Sequence, residues 1–471
     1  MYFAVRLLKT APWNRKVRKE GMMEIGEAVR SVDRKEQQAP LSAAKRNYIL
    51  GLLTAVFALN FLDRSLLGVV LEPVKKEFAL SDTMMGLMLG FGFALMQTGA
   101  GLIVARYADR KSRVPLIALG LTFTSVMTAV GGAVVSAWQM FLTRIGVGLG
   151  QSTGTSPSQA TISDIFPKDR RPFAMSIFQM GPLLGGYLGF LIGGLATYYY
   201  NWRTAFFFAG IPGIVIGLLL YFTVKEPPRG LSDGAKADTN LYSLGDTVRY
   251  LIANRTFVWC TIGNILASYT NFSVGAWLAA FLRRIHHLNQ AQIGVWGGTV
   301  KSVAGLAGVL IGGYIVQRVG KGNDKWKILA PAIALFISGP LFLIFLFPDS
   351  LSMAFFGLAL AIFFSAFYNG PLIAVTQSVV KVRMRALAVA TYMMPGALIS
   401  YGCAPLVIGI INDALNPRYG AASVRYSLIT APIACMLGAL CFMAASRSVN
   451  QDIKKALKES AEMGSARRPA K

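Results

Sequence analysis

The sequence has few charged residues for its length. Only 15% of its 471 residues are Asp, Glu, Lys or Arg, whereas 54% are hydrophobic and the mean hydropathy is +0.50. Soluble globular proteins carry about 25% charged residues. This deficit excludes an ordinary soluble protein and predicts an integral membrane protein.

Acidic residues are the scarcer of the two charge types. The chain has 22 Asp and Glu against 47 Lys and Arg, which gives a formal net charge of +25. A strongly basic protein can bind nucleic acid. Here the basic residues lie in short runs between apolar stretches, so we predict no nucleic-acid partner.

Residue types that bind metals or catalyse reactions are also rare. The 4 cysteines lie inside apolar stretches, and the 2 histidines, His286 and His287, stand side by side with no second ligand pair nearby. The chain has no phosphate-binding loop of the Gly-x-x-x-x-Gly-Lys-Ser/Thr type. We therefore predict no metal, no cofactor, no enzyme site and no direct ATP-driven pumping.

Long apolar runs are abundant. A bilayer core about 30 Å thick is spanned by about 20 helical residues. Twelve runs of about this length are predicted as spans 1 to 12, at roughly 48–71, 85–105, 114–135, 137–160, 173–198, 204–224, 257–281, 293–317, 327–347, 352–380, 386–412 and 424–446.

A polar stretch divides these spans into two sets of six. It covers residues 225–256 and contains a candidate interfacial helix at 242–251. In the basic N-terminal tail, residues 1–19 are interpreted either as an amphipathic segment on anionic lipid or as part of a disordered tail or of an overlong start before Met22 or Met23. The predicted organisation is a tail at 1–46, a six-helix half at 47–224, a linker at 225–256, a second six-helix half at 257–446 and a tail at 447–471.

The basic residues predict how the chain is oriented. Segments on the same side as the termini carry 37 of the 47 Lys and Arg residues, whereas loops on the other side carry 7. Because Lys and Arg favour cytoplasmic loops, both termini are predicted to be cytoplasmic. The compact loops favour a bacterial inner membrane.

Short motifs recur in the two halves. The segment 105–112, which precedes Arg113, has a counterpart at 313–320, and the Arg-Pro-Phe-Ala motif at Arg171 has a counterpart at Arg385. Two halves related by an axis along the membrane normal enclose a central cavity at their interface.

These motifs resemble those of the major facilitator superfamily. The loop after span 2 follows its small-x-x-x-Asp-Arg-x-small-Arg signature, span 4 contains Arg144-Ile-Gly-Val-Gly-Leu-Gly, and further matches lie at 164–174 and 202–206. The resemblance implies an all-α membrane protein with twelve transmembrane helices, arranged in two pseudo-symmetric six-helix halves around a central cavity. It also implies secondary active transport by alternating access.

Within that superfamily, the sequence resembles the spinster-type branch. The resemblance rests on Asn60-Phe-Leu-Asp-Arg64, followed by Leu71-Glu-Pro and Leu80-Ser-Asp. That branch includes exporters of sphingosine 1-phosphate and lysophospholipid. It therefore implies an amphipathic anionic substrate, with membrane lipids and protons as further partners, and we expect a monomer.

Other functions remain open at this point. Organic-anion symporters share some of these features, and Gly181-Pro-Leu-Leu-Gly-Gly in span 5 resembles a motif of antiporters. A small organic-anion/proton symporter and a drug/proton antiporter are therefore alternatives. A channel and a non-transporting lipid receptor are alternatives of another class.

Charged residues inside spans are costly and usually functional. Counting from the span ends places Asp63 roughly 12 Å, Arg144 roughly 10 Å and Lys301 roughly 12 Å below the outer surface. The resemblance implies that spans 1, 4, 7 and 10 line the cavity, so Asp63 and Arg144 can meet there. We predict that Asp63 couples transport to protons and that its protonation frees Arg144 for the substrate. The alternative is a static ion pair that joins spans 1 and 4.

Further polar residues are candidate substrate contacts, although ordinary helix–helix contact or, for the lysine, snorkelling are alternatives. They are Asn60, Arg64, Tyr269, Asn271, Lys301, Tyr368 and Asn369. The loop motifs also predict a cytoplasmic gate that holds the outward-open state, with topology-setting surface charge as the alternative. Its predicted members are Asp109, Arg110, Arg113, Asp164 and Arg171.

Overall fold

The computed structural model describes residues 42–110, 112–167, 169–227, 244–381 and 384–465. Nearly all of these residues are helical, and no strand occurs among them. Most of the predicted N-terminal tail and the middle of the predicted linker lie outside the described residues. A helix at Leu244–Ala253 overlaps the predicted interfacial helix.

The described residues form twelve long helical segments, labelled α1 to α12 in chain order. The first six are α1 (Ala43–Val69), α2 (Asp82–Gly86, Leu87–Phe91 and Gly92–Arg110), α3 (Arg113–Gly131), α4 (Ala137–Gln151 and Thr155–Ile165), α5 (Arg171–Gln179 and Gly181–Tyr199) and α6 (Trp202–Thr223). The last six are α7 (Arg255–His286), α8 (Gln290–Val319), α9 (Asp324–Leu346), α10 (Leu351–Ser378), α11 (Arg385–Gly396, Ala397–Tyr401 and Gly402–Tyr419) and α12 (Thr430–Ser465).

By length and composition, 10 stretches among the described residues could cross a membrane. The tenth stretch, Leu387–Glu459, covers most of both α11 and α12, and α4, which a turn at 152–154 interrupts, is not among the ten. The helical segments therefore correspond one to one with the twelve predicted spans.

Polar caps fix where several of these helices begin. The side chains of Ser136, Asn201 and Asn254 each accept a hydrogen bond from the backbone N–H three residues later, at the starts of α4, α6 and α7. Such caps satisfy backbone donors that have no partner within the helix.

The two halves pack in the same pattern. In the first half, α1 packs on α5 and α3 packs on α6; in the second half, α7 packs on α11 and α9 packs on α12. The α1–α5 contact depends on glycine, because a Cβ on Gly185 would lie 1.9 Å from the carbonyl oxygen of Ala58. This repetition is the pseudo-symmetry expected of two six-helix halves.

Helix α12 continues well beyond the predicted end of span 12 at residue 446. It ends at Ser465, so the segment predicted as a tail starts as helix. Residues 454–463 of this extension, Lys-Lys-Ala-Leu-Lys-Glu-Ser-Ala-Glu-Met, are nearly all good helix formers. Two contacts hold it to its own half: Glu459 pairs with Lys381 at 3.0 Å, and Asp452 accepts from the backbone N–H of Thr256 at 3.0 Å.

The two halves meet at the end of the bundle opposite the start of α1 and the end of α12, which we call the closed end. Glycines on α2 allow the close approach of α11. A Cβ on Gly86 would lie 2.5 Å from the carbonyl oxygen of Pro405, and one on Gly90 would lie 2.3 Å from that of Tyr401. Small residues at these positions let the two backbones touch.

Ionic contacts also join the halves at the closed end. Arg284 on α7 donates to both carboxylate oxygens of Asp82 at 2.6 and 2.7 Å, and to Glu72 at 2.7 Å. Asp413 on α11 accepts from the backbone N–H groups of Asp82 and Thr83 at 2.9 and 2.7 Å. Asp413 therefore caps the first turn of α2 from the opposite half.

A hydrogen-bonded cluster nearby ties the loop after α1 to α6. Glu77 accepts from Trp202 and Arg203, each at 2.7 Å. The bonds from Arg203 and then Trp202 lower the pKa of the Glu77 carboxyl below its ordinary value. At neutral pH the ionised Glu77 therefore holds this loop in place, and in that position Glu72 contacts Arg284.

Gly86→Ala is expected to hold the closed end apart. Gly86 has ordinary helical dihedrals, φ −60° and ψ −39°, so alanine strains only its contact with Pro405 and Leu406 on α11. Spin labels at Lys76 and Arg418, both exposed at the closed end, should move apart in a chain without native cysteines. Gly99→Ala on the same helix is the control, because its Cβ would meet nothing within 4 Å. An unchanged distance distribution in Gly86→Ala would contradict this account of the close approach.

Candidate functional site

A cavity of about 340 Å³ lies between the two halves. Helices from both halves line it, and most of its lining is apolar or aromatic, with contributions from Phe61, Met88, Phe93, Leu183 and Ile362. Four charged side chains interrupt that lining: Asp63, Arg64, Arg144 and Lys301. The cavity is thus apolar with a few charged groups, as in many small-molecule sites.

Asp63 and Arg144 meet in this cavity. The Nη1 of Arg144 lies 3.3 Å from each carboxylate oxygen of Asp63, and the hydroxyl of Thr128 donates to Asp63 Oδ1 at 2.6 Å. Asp63 is 4% exposed and Arg144 is 3% exposed. Two buried opposite charges relieve part of each other's desolvation cost. The pair can therefore persist inside the protein while both groups are charged.

Arg144 has hydrogen-bonding capacity left over. Its Nε and Nη2 have no hydrogen-bond partner among the described residues. Its guanidinium lies 5.3 Å from the ring centroid of Phe206, which offers a cation–π contact on one side. A bound anion could accept the remaining N–H bonds.

Arg64 lies beside the pair but bonds a different partner. Its Nε donates to Gln151 Oε1 at 2.9 Å, and Gln151 Nε2 donates to the carbonyl oxygen of Asn60 at 3.1 Å. The Arg64 guanidinium is 4.7 to 4.8 Å from the ring centroids of Phe61, Phe93 and Tyr401. The backbone carbonyl of Asn60 thus holds the Gln151 amide that faces Arg64, and the Asn60 side chain does not line the cavity.

Lys301 enters the cavity from the second half. Its ammonium is 5.0 Å from the ring centroid of Phe190. It forms no ion pair with a carboxylate among the described residues. Lys301 is therefore a cation on α8 that could pair with a bound anion.

The other predicted contacts divide into two groups. Asn271 and Asn369 line the cavity. Tyr269 instead faces α12, where its hydroxyl lies 3.2 Å from that of Thr430, and the buried hydroxyl of Tyr368 lies 3.4 Å from that of Ser268. The cavity therefore brings together Asp63, Arg64, Arg144, Asn271, Lys301 and Asn369, but not Asn60, Tyr269 or Tyr368.

The predicted gate residues lie at the end opposite the closed end. Arg113 Nη1 donates to Asp164 Oδ2 at 2.6 Å, which joins α3 to α4 within the first half. Glu226 accepts from the backbone N–H groups of Arg113 and Val114 at 2.9 and 2.8 Å. Arg171 starts α5, and the side chains of Asp109 and Arg110 lie outside the described residues. The Arg113–Asp164 pair therefore lies entirely within the first half and does not join the two halves.

Sequence reasoning missed two groups of residues. The roles of Gln151 and Thr128 could not be predicted from the sequence, because uncharged polar residues in membrane helices often serve only as helix–helix contacts. Arg284 counts in the sequence only as one of the 7 basic residues on the side away from the termini, and Glu72 and Asp82 only as members of the motifs Leu71-Glu-Pro and Leu80-Ser-Asp. Their pairing across the halves could not be read from their positions in the chain.

Comparisons with known proteins agree with this architecture. The model of the Major Facilitator Superfamily matches residues 53–394. An MFS-type efflux pump of Mycolicibacterium smegmatis is 30% identical over 406 residues, covering 86% of this chain and 93% of the pump. The sphingosine-1-phosphate transporter SPNS2 of Danio rerio is 26% identical over 448 residues, covering 90% of this chain and 87% of that protein.

A solved structure supports the same assignment. The crystal structure of a bacterial homolog to the human lysosomal transporter Spinster, in an inward-facing and unoccupied conformation, matches with a TM-score of 0.78 at 26% identity. The match covers 88% of this chain and 99% of that one. The chain therefore belongs to the Major Facilitator Superfamily and, within it, resembles the spinster-type transporters.

Proposed function

We propose that this alternating-access transporter moves an amphipathic anion, such as a lysophospholipid or a sphingosine 1-phosphate-like lipid. The observation that carries the proposal is the composition of the cavity, which combines cationic side chains with a largely apolar lining. The similarity to a sphingosine-1-phosphate transporter supports the same class of substrate. The lipid head would contact the cations, and the tail would lie along the apolar wall.

Arg144 is proposed as the main contact of the anionic head. Its Nε and Nη2 are unpartnered and it is nearly fully buried, so an anion would satisfy donors that otherwise remain without a partner. Arg64, Lys301, Asn271 and Asn369 are proposed as secondary contacts because they line the same cavity.

Asp63 is proposed as the coupling carboxylate. While ionised, it holds Arg144 through the 3.3 Å contacts and accepts from Thr128. Protonation would remove the negative charge and weaken its hold on Arg144, which would then be free for the substrate. The ionised Asp63 carboxylate and the anionic head would thus compete for the same arginine, so proton binding at Asp63 would favour substrate binding.

The remaining proposals concern placement in the cell. The basic-residue distribution supports cytoplasmic termini, and the compact loops support a bacterial inner membrane. In that orientation the closed end is external. The gate residues Arg113, Asp164 and Arg171, with Asp109 and Arg110, would act at the cytoplasmic mouth, and a single chain would suffice for transport.

The test is substrate-induced proton movement in proteoliposomes, comparing the native chain with Asp63→Asn. We expect a lysolipid or sphingosine 1-phosphate to move protons with the native chain, and Asp63→Asn to bind the lipid but lose that movement. Asp349→Asn is the matched control, since its side chain is 96% exposed in the loop before α10. Native-like proton movement by Asp63→Asn would mean that the carboxylate is structural and the coupling proposal is wrong.

A drug/proton antiporter is the second candidate. The similarity to an MFS-type efflux pump favours it, and an apolar cavity with a buried carboxylate would also suit a lipophilic cation. The same assay distinguishes the two functions. Proton movement with lipophilic cations and none with anionic lipids would replace the first proposal by the second.

A further inference from the structure

The charges that line the cavity do not balance. Among the described residues of the lining, Arg64, Arg144 and Lys301 are basic and only Asp63 is acidic. Asp63 is paired with Arg144. Two cations therefore remain without a carboxylate partner in the part of the chain that the structure describes, one on α1 and one on α8.

Arg64 donates a side-chain hydrogen bond to Gln151, which is uncharged. It is 2% exposed, and its amide is fixed because Nε2 donates to the carbonyl oxygen of Asn60, which leaves Oε1 to face Arg64 at 2.9 Å. An amide satisfies one donor of the guanidinium but brings no negative charge. The three aromatic rings around Arg64 offset only part of the cost of burying that charge.

Lys301 presents the second uncompensated cation from the other half of the molecule. Its surroundings include the ring of Phe190 at 5.0 Å and the backbone at Gly275, where a Cβ would come 3.0 Å from Nζ. Neither supplies a negative charge. An unpaired charge in a low-dielectric site attracts a counter-ion strongly.

We propose that Gln151 and Lys301 make the site selective for a head that carries two negative charges, such as a phosphate monoester. This inference rests on the proposed function and specifies its substrate class. A phosphate monoester carries a charge of about −1.5 to −2 at pH 7, which would balance Arg64 and Lys301 while Asp63 is ionised. When protonation of Asp63 also frees Arg144, a doubly charged head still matches the three cations better than a singly charged one. A phosphodiester or a zwitterionic head would leave at least one cation uncompensated.

The placement of the two cations also links binding to the transport cycle. Arg64 belongs to the first half and Lys301 to the second, so a head held by both connects the two halves. A ligand that bridges two domains favours the conformation in which they close around it. A head with a single negative charge can contact both cations but leaves one positive charge uncompensated.

The test measures binding of single-chain lipids that share one tail and differ only in the head: a phosphate monoester, a phosphodiester and a phosphocholine. With the purified full chain, we expect the monoester to bind at least about tenfold tighter than the other two. Gln151→Glu should abolish most of this preference by weakening the monoester at least about tenfold while changing the phosphocholine less than about threefold. Lys301→Gln should reduce the preference in the same direction.

Two controls separate charge from other effects. Gln139→Glu makes the same substitution at an exposed position of α4 outside the cavity and should leave every affinity unchanged. Gln151→Leu removes the amide without adding charge and should keep the preference for the monoester. Thermal unfolding of each variant verifies folding, and Lys301→Gln tests the idea independently if Gln151→Glu does not fold.

The failures of the two proposals can be told apart. If the lipids bind with equal affinity whatever the charge of the head, or if Gln151→Glu keeps the native preference, the charge-selectivity inference is overturned and the lipid proposal stands. If none of the lipids binds, the proposed function fails and this inference fails with it.

Discussion

Arg284→Gln is expected to open the closed end of the bundle. The Arg284 side chain is 11% exposed and holds Asp82 and Glu72, so it is the hub that joins α7 to the start of α2. Removing it leaves Asp82 with Lys75 as its remaining ion-pair partner, and leaves Glu72 with no ion-pair partner among the described residues. Breaking a largely buried pair on one side costs about 3–5 kcal/mol, and the remaining Lys75 places the expected cost near the lower end of that range.

The cost should fall on one conformation only. The contacts of Arg284 with Asp82 exist while α2 and α7 are together at this end, so their loss destabilises the closed-end conformation and not the alternative. A bias of about 3 kcal/mol corresponds to a change of more than about a hundredfold in the population ratio. The variant should therefore populate the state that is open at this end.

The measurement is labelling of a cavity thiol from that side of the membrane. Ser302 lines the cavity, and Ser302→Cys in a chain without native cysteines provides the probe for a membrane-impermeant reagent. We expect Arg284→Gln to raise its labelling rate at least about tenfold. Arg418→Gln removes the same charge from an exposed position near that end of α11 and should leave the rate unchanged. An equal rate in Arg284→Gln and the native chain would show that the ionic contacts do not hold the closed end.

Span positions and intramembrane charges were the most predictable features. Each predicted span corresponds to a helical segment, because bilayer thickness and backbone hydrogen bonding fix the length of an apolar helix. Asp63 and Arg144 could be paired in advance since both lie at similar depth and neither is tolerated alone in lipid. In the structure, Nη1 of Arg144 lies 3.3 Å from Oδ1 of Asp63.

The direction in which each residue faces was harder to predict. Tyr269 and Asn271 were proposed together, but residues two apart on a helix point roughly 200° apart. Only Asn271 lines the cavity, while Tyr269 faces Thr430 on α12. These helices are apolar on nearly every side, so no polar stripe in the sequence marks the face toward the cavity.

Contacts between distant segments could not be predicted at all. Arg284 finds Asp82 and Glu72 only because the two halves tilt together at the closed end, and that tilt is a property of the conformation. Gln151 faces Arg64 only because α4 packs beside α1 in one rotation. Neither geometry leaves a periodic signal in the chain.

Arg144→Gln is expected to be the most damaging single substitution in the cavity. It would leave the Asp63 carboxylate, 4% exposed, with the Thr128 hydroxyl as its remaining described donor. An uncompensated buried charge costs about 3–5 kcal/mol. We expect a marked fall in the melting temperature of the purified protein and a loss of transport in proteoliposomes.

Combining Arg144→Gln with Asp63→Asn separates the two interpretations of this pair. The double variant has no uncompensated charge, so it should recover at least about half of the stability that Arg144→Gln loses. If the pair couples protons to substrate, transport should stay absent, because neither a titratable carboxylate nor an anion-binding guanidinium remains at the site. If the double variant regains both stability and proton-coupled transport, the pair is a static link between α1 and α4, and the coupling carboxylate must be sought elsewhere. Recovery of stability without transport is the expected result, since the unpartnered Nε and Nη2 of Arg144 give that arginine a role that a purely structural partner of Asp63 would not need.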